Sequence, residues 1–268
     1  MDLNWPVVAP YLLITVSAIA AGFVNAFAGG GTFFSYPAFV AAGVPPALAS
    51  ASNNVGLWSG NATATFAYRR ELLAMRRHLP FLSAVTLIGS GCGAAMLLWV
   101  GNAGFAKVLP LLVMFATLLF TYAEQVRDWV MKKAASQRMQ TVPDKPPTSW
   151  GATLGLGIVT AYGGFFGGGV NLMVMATLSL MGYQHVQYNN AIKNLLAVMI
   201  IASVFFVFLI KGGIAWPQTI ACFFGATTGG LIGARVARKL PVAWLRGVVI
   251  GVGITLTLVY TWQYWIKP

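Results

Sequence analysis

Residues Ala28–Gly31 read Ala-Gly-Gly-Gly, and the pattern returns as Phe-Gly-Gly-Gly at Phe166–Gly169. Later in each stretch, Asn54 pairs with Asn194, and the shift between matching residues stays within 138 to 140 positions. An ordered series of matches at one spacing indicates an internal duplication, which has to be recognised before a fold is assigned. The chain is therefore predicted to contain two related halves.

The duplication continues through a second group of small residues, at a constant offset of 140. Glycines spaced four apart are common where membrane helices pack closely, so this group is interpreted as helix-packing positions. The matching residues are Gly89, Gly93 and Ala94 in the first half, and Gly229, Gly233 and Ala234 in the second.

The composition indicates a membrane protein. Of 268 residues, 58% are hydrophobic and 8% are charged, whereas a soluble domain carries about 25% charged residues. A large soluble helical core is excluded, because too little polar surface exists to coat it. Several apolar runs are long enough to cross a bilayer, and the fold class predicted is an all-α polytopic membrane protein. These runs are Val7–Phe27, Leu79–Val100, Phe105–Tyr122, Val186–Ile210 and Val248–Trp265.

Each half repeats one order of segments. A long apolar helix meets the glycines, a short apolar stretch follows, and three longer helices complete the half, so each half is predicted to hold a broken, re-entrant helix pair. The first of the three longer helices in the first half is predicted at Pro46–Tyr68. The short stretches are Phe33–Ala42 and Leu172–Met181, too short to span alone. The predicted domains are a first membrane repeat (1–122), a cytoplasmic linker (123–149) and a second, inverted repeat (150–268).

The net charge of +12 reflects topology rather than nucleic-acid binding. Thirteen of the 17 Lys and Arg residues fall in three clusters between apolar segments, within 69–77, 127–145 and 235–246. Short loops rich in Lys and Arg stay in the cytoplasm. With all three clusters on that side, the halves run in opposite directions, and both termini are expected in the periplasm.

Triple glycine provides what a broken helix requires. Glycine reaches backbone angles that other residues avoid and lets a ligand approach the main chain. Unpaired amides at a helix start favour an anion, and broken helices of inverted repeats place a transport site near the bilayer midplane. The predicted substrate-binding residues flank the two breaks or the polar helix starts that follow them: Asn25, Gly29, Gly30, Gly31, Thr32, Ser52, Asn53, Asn54, Tyr162, Gly167, Gly168, Gly169, Asn171, Asn190, Lys193 and Asn194.

Lys193 is the only charged side chain deep inside a predicted span. A lysine near the centre of a membrane helix is costly, and its default interpretation is functional. It is expected to attract an anionic substrate. The alternatives are snorkelling towards the cytoplasmic interface and a structural bond to a carbonyl of a glycine break.

Other chemistries have little support in the sequence. All five carboxylates fall in loops or at helix ends, and the two cysteines and two histidines are dispersed. No catalytic residue, metal ligand or cofactor is predicted. A carrier or channel for a cation or a neutral solute, a membrane-embedded enzyme and a structural subunit remain as alternatives.

Four stretches together resemble the TauE/SafE sulfite exporter family, also called the 4-toluene sulfonate uptake permease family. Ala21–Thr32 is similar to the family's N-terminal signature, and Ala49–Asn54 to the polar helix start after it. Tyr162–Gly169 and Asn190–Asn194 look like the matching pair in the second half. Pro37 stands where the family has proline, whereas the second half has no such proline.

The resemblance implies a multi-pass carrier in a bacterial cell inner membrane, for small sulfur-containing oxyanions such as sulfite, thiosulfate or an organosulfonate. The expected partners are that anionic substrate and the lipid bilayer, with no nucleic acid. The choice between a monomer and a homodimer stays open, as do the direction of transport and any coupling ion. A transporter of another small anion or a neutral solute is the alternative.

Overall fold

A computed structural model describes residues 5–27, 30–123, 125, 150–183, 185–211, 213–236 and 242–267. Gly29 and nearly all of the predicted linker lie outside the described residues. The described helices are α1 (Trp5–Phe27), α2 (Thr32–Ala41), α3 (Pro46–Gly56), α4 (Trp58–Ala67), α5 (Arg69–Ala74), α6 (Leu79–Thr121), α7 (Trp150–Phe165), α8 (Val170–Leu180), α9 (Val186–Lys211), α10 (Trp216–Val236) and α11 (Val242–Thr261), with a π-helical turn at Trp262–Ile266.

The predicted all-helical character is confirmed for these residues. Within the described ranges, four helical segments are long and apolar enough to cross a membrane. A helix rises 1.5 Å per residue, so about 20 apolar residues cover the hydrocarbon core. The four segments are Val8–Asn25, Leu79–Thr121, Gln187–Lys211 and Arg246–Ile266.

The two helices predicted on either side of residue 101 form one long element, α6, with a sharp break. Gly101 has φ 65° and ψ −175°, outside the helical region. Ser90 before the break approaches Gly164, and Ala116 after it approaches Gly169. Because both arms of α6 reach neighbouring parts of the same segment, the chain doubles back at Gly101.

The single helix predicted for Pro46–Tyr68 is wrong. The chain forms α3 and α4 instead, and Leu57 between them leaves the helical angles at φ −82°, ψ 3°. Gly56 is a weak helix former, and a Cβ there would lie 2.6 Å from the sulfur of Cys222 on α10. The helix therefore ends where α10 lies close to its backbone.

Glycine contacts join each glycine-break helix to the opposite half of the chain. On α10, Gly225 lies against Thr15 and Gly229 against Ile19 of α1. The contacts advance in the same direction along both helices, so α1 and α10 run parallel. Helix backbones approach this closely only where side chains are small.

The first arm of α6 and α7 pack in the same manner. Gly89 lies against Gly157 and Thr160, and Gly93 lies against the carbonyl of Ala161. These helices also run parallel, and Gly89 and Gly229 occupy the same position in the duplicated sequence. The predicted role of Gly89, Gly93 and Gly229 in helix packing agrees with these contacts, which interleave the two halves.

We expect Gly93→Ala to separate α6 from α7 and to lower the free energy of unfolding by about 1–3 kcal/mol, as overpacking does. Gly91→Ala is the matched control, because a Cβ at Gly91 meets nothing within 4 Å. The free energy of unfolding of this control should rise by up to about 1 kcal/mol, since alanine favours a helix over glycine. Thermal unfolding of the purified variants in detergent measures both; equal melting temperatures would contradict the close packing.

One polar contact joins the halves outside the long helices. His78 Nδ1 and the Tyr183 hydroxyl lie 2.7 Å apart, and both side chains are buried. Asn189 donates a hydrogen bond to the Tyr183 carbonyl at 2.9 Å. Burial lowers the pKa of His78 and raises the pKa of Tyr183 to about 12, so the pair stays neutral near pH 7.

The lowered pKa of His78 predicts acid-sensitive stability. In the unfolded chain the imidazole has its ordinary, higher pKa, so the unfolded state takes up a proton first as the pH falls. Wild-type stability should therefore decline from about pH 7.5 to about pH 5.5 relative to His78→Gln, which does not titrate. Melting temperatures of both proteins across this range test it; a constant difference between them would contradict the buried neutral imidazole.

Candidate functional site

The second glycine break connects α7 to α8. Gly167 and Gly169 have φ of +83° and +76°, in the left-handed region that glycine reaches without strain. The Tyr162 hydroxyl donates a hydrogen bond to the carbonyl of Gly168 at 2.7 Å. Tyr162 thus satisfies a carbonyl that the interruption leaves outside the helical ladder.

The first glycine break connects α1 to α2 and is held differently. Gly30 has φ +88°, and the amide of Gly31 donates to Asn25 Oδ1 at 2.9 Å. The Asn25 side chain therefore occupies an amide that the sequence predicted to be available to an anion. What Asn25 retains for a ligand is its amide nitrogen.

The two breaks line one cavity of about 40 Å³. A buried water needs roughly 10–15 Å³ of such volume, so the cavity has room for a few waters or a small ion. Seven of the predicted residues lie on its wall: Asn25, Gly30, Thr32, Asn54, Gly167, Gly169 and Asn171.

The two halves contribute matching positions to this wall. Leu57 and Ala197 lie 140 positions apart in the sequence, as do Asn61 and Ile201, and all four line the cavity. The cavity is thus built where equivalent parts of the duplicated sequence meet. The matching residues differ in polarity, and the first half supplies more of the polar ones.

Side-chain amides are the main polar groups on the wall. Asn54 comes from α3 and packs onto the second break, where its Oδ1 lies 2.5 Å from the position of a Cβ on Gly167. Asn54 Nδ2 and Asn171 Oδ1 are buried and have no hydrogen-bond partner among the described residues. Buried amides are normally paired, so unpaired ones at a cavity are consistent with a ligand site.

Other predicted residues lie away from the wall. Ser52 Oγ accepts a hydrogen bond from the amide of Ala215 at 3.0 Å, on the side of α3 that faces α10. Asn53 is fully buried, and neither of its amide atoms has a partner within the described part of the chain. The predicted residues absent from the wall are Gly31, Ser52, Asn53, Tyr162, Gly168, Asn190, Lys193 and Asn194.

Lys193 lies on α9 one turn before Ala197, a wall residue. Residues four apart share a helix face, and four residues rise about 6 Å along the axis. Its side chain is partly exposed, and no hydrogen bond or ion pair engages its ammonium within the described ranges. Lys193 is therefore a neighbour of the cavity rather than a part of its wall.

Several wall residues were not predicted from the sequence. Asn61 follows Asn54 by seven positions, a helical repeat that a search along the Pro46–Tyr68 segment would find. Phe120 gives no such signal, because its ring reaches Gly30 from the second arm of α6. The apolar part of the wall, including Ile200 and Ile201, looks like any other membrane helix in the sequence.

The described residues hold no cluster of three or more His, Cys, Asp or Glu side chains able to bind a metal ion. Each of the described residues on the wall is uncharged. The arrangement therefore suits reversible binding through neutral hydrogen-bond donors and main-chain groups.

Comparison with known proteins agrees with these features. The chain is 26% identical to a "Probable membrane transporter protein" of Haemophilus influenzae, over 96% of this chain and 95% of that protein. It is 26% identical to "Probable membrane transporter protein YfcA" of Escherichia coli K12, over 93% and 90%. It is 24% identical to "Probable membrane transporter protein ORF9" of a Sinorhizobium species, over 91% and 89%. No solved structure gives a significant match.

A family model described as "Sulfite exporter TauE/SafE" matches residues 14–260, which include both glycine breaks and every residue of the cavity wall. The match covers most of the chain, and the apolar helices agree with the transporter names of the relatives. This multi-pass membrane protein therefore belongs to the TauE/SafE sulfite exporter family.

Proposed function

We propose that this protein is a secondary carrier or facilitator for a small sulfur-containing oxyanion such as sulfite, thiosulfate or an organosulfonate. The substrate binds in the cavity between the two glycine breaks and moves by alternating access. The observation that carries the proposal is the shared cavity, in which main-chain and amide groups from both halves meet.

The polar groups of the wall favour an oxyanion. Asn25, Thr32, Asn54, Asn61 and Asn171 bring amide and hydroxyl groups to the cavity, and such groups can donate hydrogen bonds to oxygen. Among the wall residues that the structure describes there is no carboxylate to repel an anion.

The cavity volume favours the smaller substrates of this class. About 40 Å³ corresponds to a few waters on the same measure, close to the size of an inorganic oxyanion. A bulky organosulfonate would require the cavity to widen. Lys193, one turn away, supplies the nearby positive charge.

An inverted arrangement of the halves supports alternating access. If α1 enters from the periplasm, the parallel packing described above requires α10 to run inward as well. The first arm of α6 and α7 then run outward together. This is the topology that the basic clusters predict, with repeats at 1–122 and 150–268, a cytoplasmic linker at 123–149 and both termini periplasmic. The bacterial inner membrane is the location this topology implies.

A carrier of a neutral solute is the second candidate, and the uncharged wall is the observation that favours it. The two candidates differ in their need for Lys193. A neutral solute gains little from an ammonium group, whereas an anion is drawn towards it. A membrane-embedded enzyme has no comparable support, since none of the wall residues is His, Cys, Asp or Glu.

We expect Lys193→Ala to reduce sulfite uptake into liposomes by about tenfold, a change of about 1.4 kcal/mol. Lys211→Ala is the matched control, because Lys211 is an exposed lysine at the far end of the same helix. It should transport like the wild type.

The same liposomes report on the substrate class. Sulfite, thiosulfate, sulfoacetate, taurine and sulfate are compared by uptake and by thermal stabilisation of the purified protein. If wild-type protein neither binds nor transports any of them, the proposed function is wrong. If Lys193→Ala transports sulfite normally, the role assigned to its charge is wrong.

Gly167→Ala tests the second break directly. A Cβ would strain a left-handed backbone by about 1–2 kcal/mol and would displace the Asn54 side chain from the wall. Gly43→Ala is the control, because Gly43 has φ +81° but open space around a Cβ. Both variants should melt earlier, while only Gly167→Ala should lose transport, by on the order of tenfold to a hundredfold. Equal transport by the two variants would show that the second break is not part of the substrate site.

A further inference from the structure

Asn53 is the most anomalous polar side chain near the cavity. Its exposed fraction is 0%, and both amide atoms lack a hydrogen-bond partner among the described residues. A fully buried amide that pairs with nothing is rare in native proteins. Such a group calls for an explanation beyond packing.

Its position in the duplicated sequence gives a second indication. Asn53 and Lys193 lie 140 positions apart, the offset that also relates Asn54 to Asn194. The two equivalent residues differ in exposure, because Lys193 is partly exposed and Asn53 is not. Ser50 and Asn190 differ in the same direction, with Ser50 buried and Asn190 partly exposed.

Asn53 also lies on the side of α3 that leads to the cavity. Ser50, three residues earlier, donates a long hydrogen bond of 3.5 Å to the carbonyl of Phe166, the residue before Gly167. Leu57, four residues later, lies on the cavity wall. Residues three and four apart share a helix face, so Asn53 falls between a contact with the second break and the cavity itself.

Three aromatic rings pack together next to the second glycine break. The ring of Tyr36 packs edge-on against Phe166 and against Tyr260, with centroid distances of 6.2 Å in each case. All three side chains are buried. Tyr36 stands one turn along α2 from the wall residue Thr32, and Phe166 precedes the wall residue Gly167, so these three rings, the aromatic seal, lie next to the cavity.

We propose that Asn53 is a second binding station for the transported oxyanion, reached only when the aromatic seal opens. The proposal rests on the proposed function and adds a step to it. Lys193 receives the anion on one side of the cavity, and Asn53 takes the equivalent role on the other. In the present conformation Lys193 is partly exposed and Asn53 is fully buried, which leaves the Asn53 amide without a partner among the described residues.

Asn53→Leu separates a transport role from a structural one. Leucine has nearly the shape of asparagine, and it removes two unpaired buried polar atoms, so the melting temperature should stay the same or rise. Sulfite uptake into liposomes should fall by about tenfold or more, while thermal stabilisation by sulfite stays at the wild-type level. Asn54→Leu, which alters the cavity wall, should lose both.

The outcomes of this comparison differ for the two proposals. Wild-type uptake by Asn53→Leu overturns the second station. Loss of sulfite stabilisation together with uptake overturns it as well, because Asn53 would then belong to the first site. Absence of any sulfite response in the wild type refutes the proposed function instead. If Asn53→Leu does not fold, Asn53→Ala is read by the same criteria.

Cysteine labelling tests the closed state without any substrate. In a Cys92→Ser, Cys222→Ala background, an anionic methanethiosulfonate reagent should modify Lys193→Cys at least about tenfold faster than Asn53→Cys. Adding Tyr36→Ala should speed labelling of Asn53→Cys and leave Lys193→Cys unchanged. Equal labelling rates at the two positions, or no effect of Tyr36→Ala, would overturn the proposed seal.

Discussion

Inside a bilayer, every main-chain amide and carbonyl must find its partner within the protein, because lipid offers none. A helix that ends at the midplane breaks this condition at its last and first turns. At the two glycine breaks, side chains from the preceding helices provide some of the missing hydrogen bonds. Asn25 accepts a hydrogen bond from the amide of Gly31, and Tyr162 donates one to the carbonyl of Gly168. These local bonds allow two helices to stop inside the protein and leave a small cavity between their ends.

Close helix packing holds the two breaks opposite each other. Gly229 brings α10 onto α1, and Gly93 brings the first arm of α6 onto α7. Each helix that leads into a break therefore rests on a helix from the other half. Small residues let helix backbones pack tightly in membranes. The repeated glycines are therefore also the residues through which the two halves contact each other. The second break also packs against the other half directly, through Asn54 at Gly167 and Ala116 at Gly169.

The halves are similar in backbone and different in chemistry. Asn61 faces the cavity in the first half where Ile201 does so in the second, and Asn25 matches Gly163. Matching stretches of the sequence supply these wall positions, and the differences between them make one side of the wall more polar than the other.

The sequence by itself determined the helical membrane class, the repeated glycine pattern, the positions of the breaks and the family resemblance. These follow from hydropathy, glycine spacing and motif order, which are local along the chain. Seven of the proposed site residues lie on one cavity wall. Gly29 and most of the linker fall outside the described residues, and the roles of all the site residues remain predictions.

Only the tertiary structure decided which groups face the cavity. The break at Leu57, the ring of Phe120 against Gly30, and the contact of Asn54 with the opposite break depend on packing between segments far apart in sequence. The sequence predicted that the amide of Gly31 would be available to a ligand, but in the structure this amide donates a hydrogen bond to Asn25 Oδ1. Helical periodicity tells which residues share a face, but the partner of that face is set by three-dimensional packing.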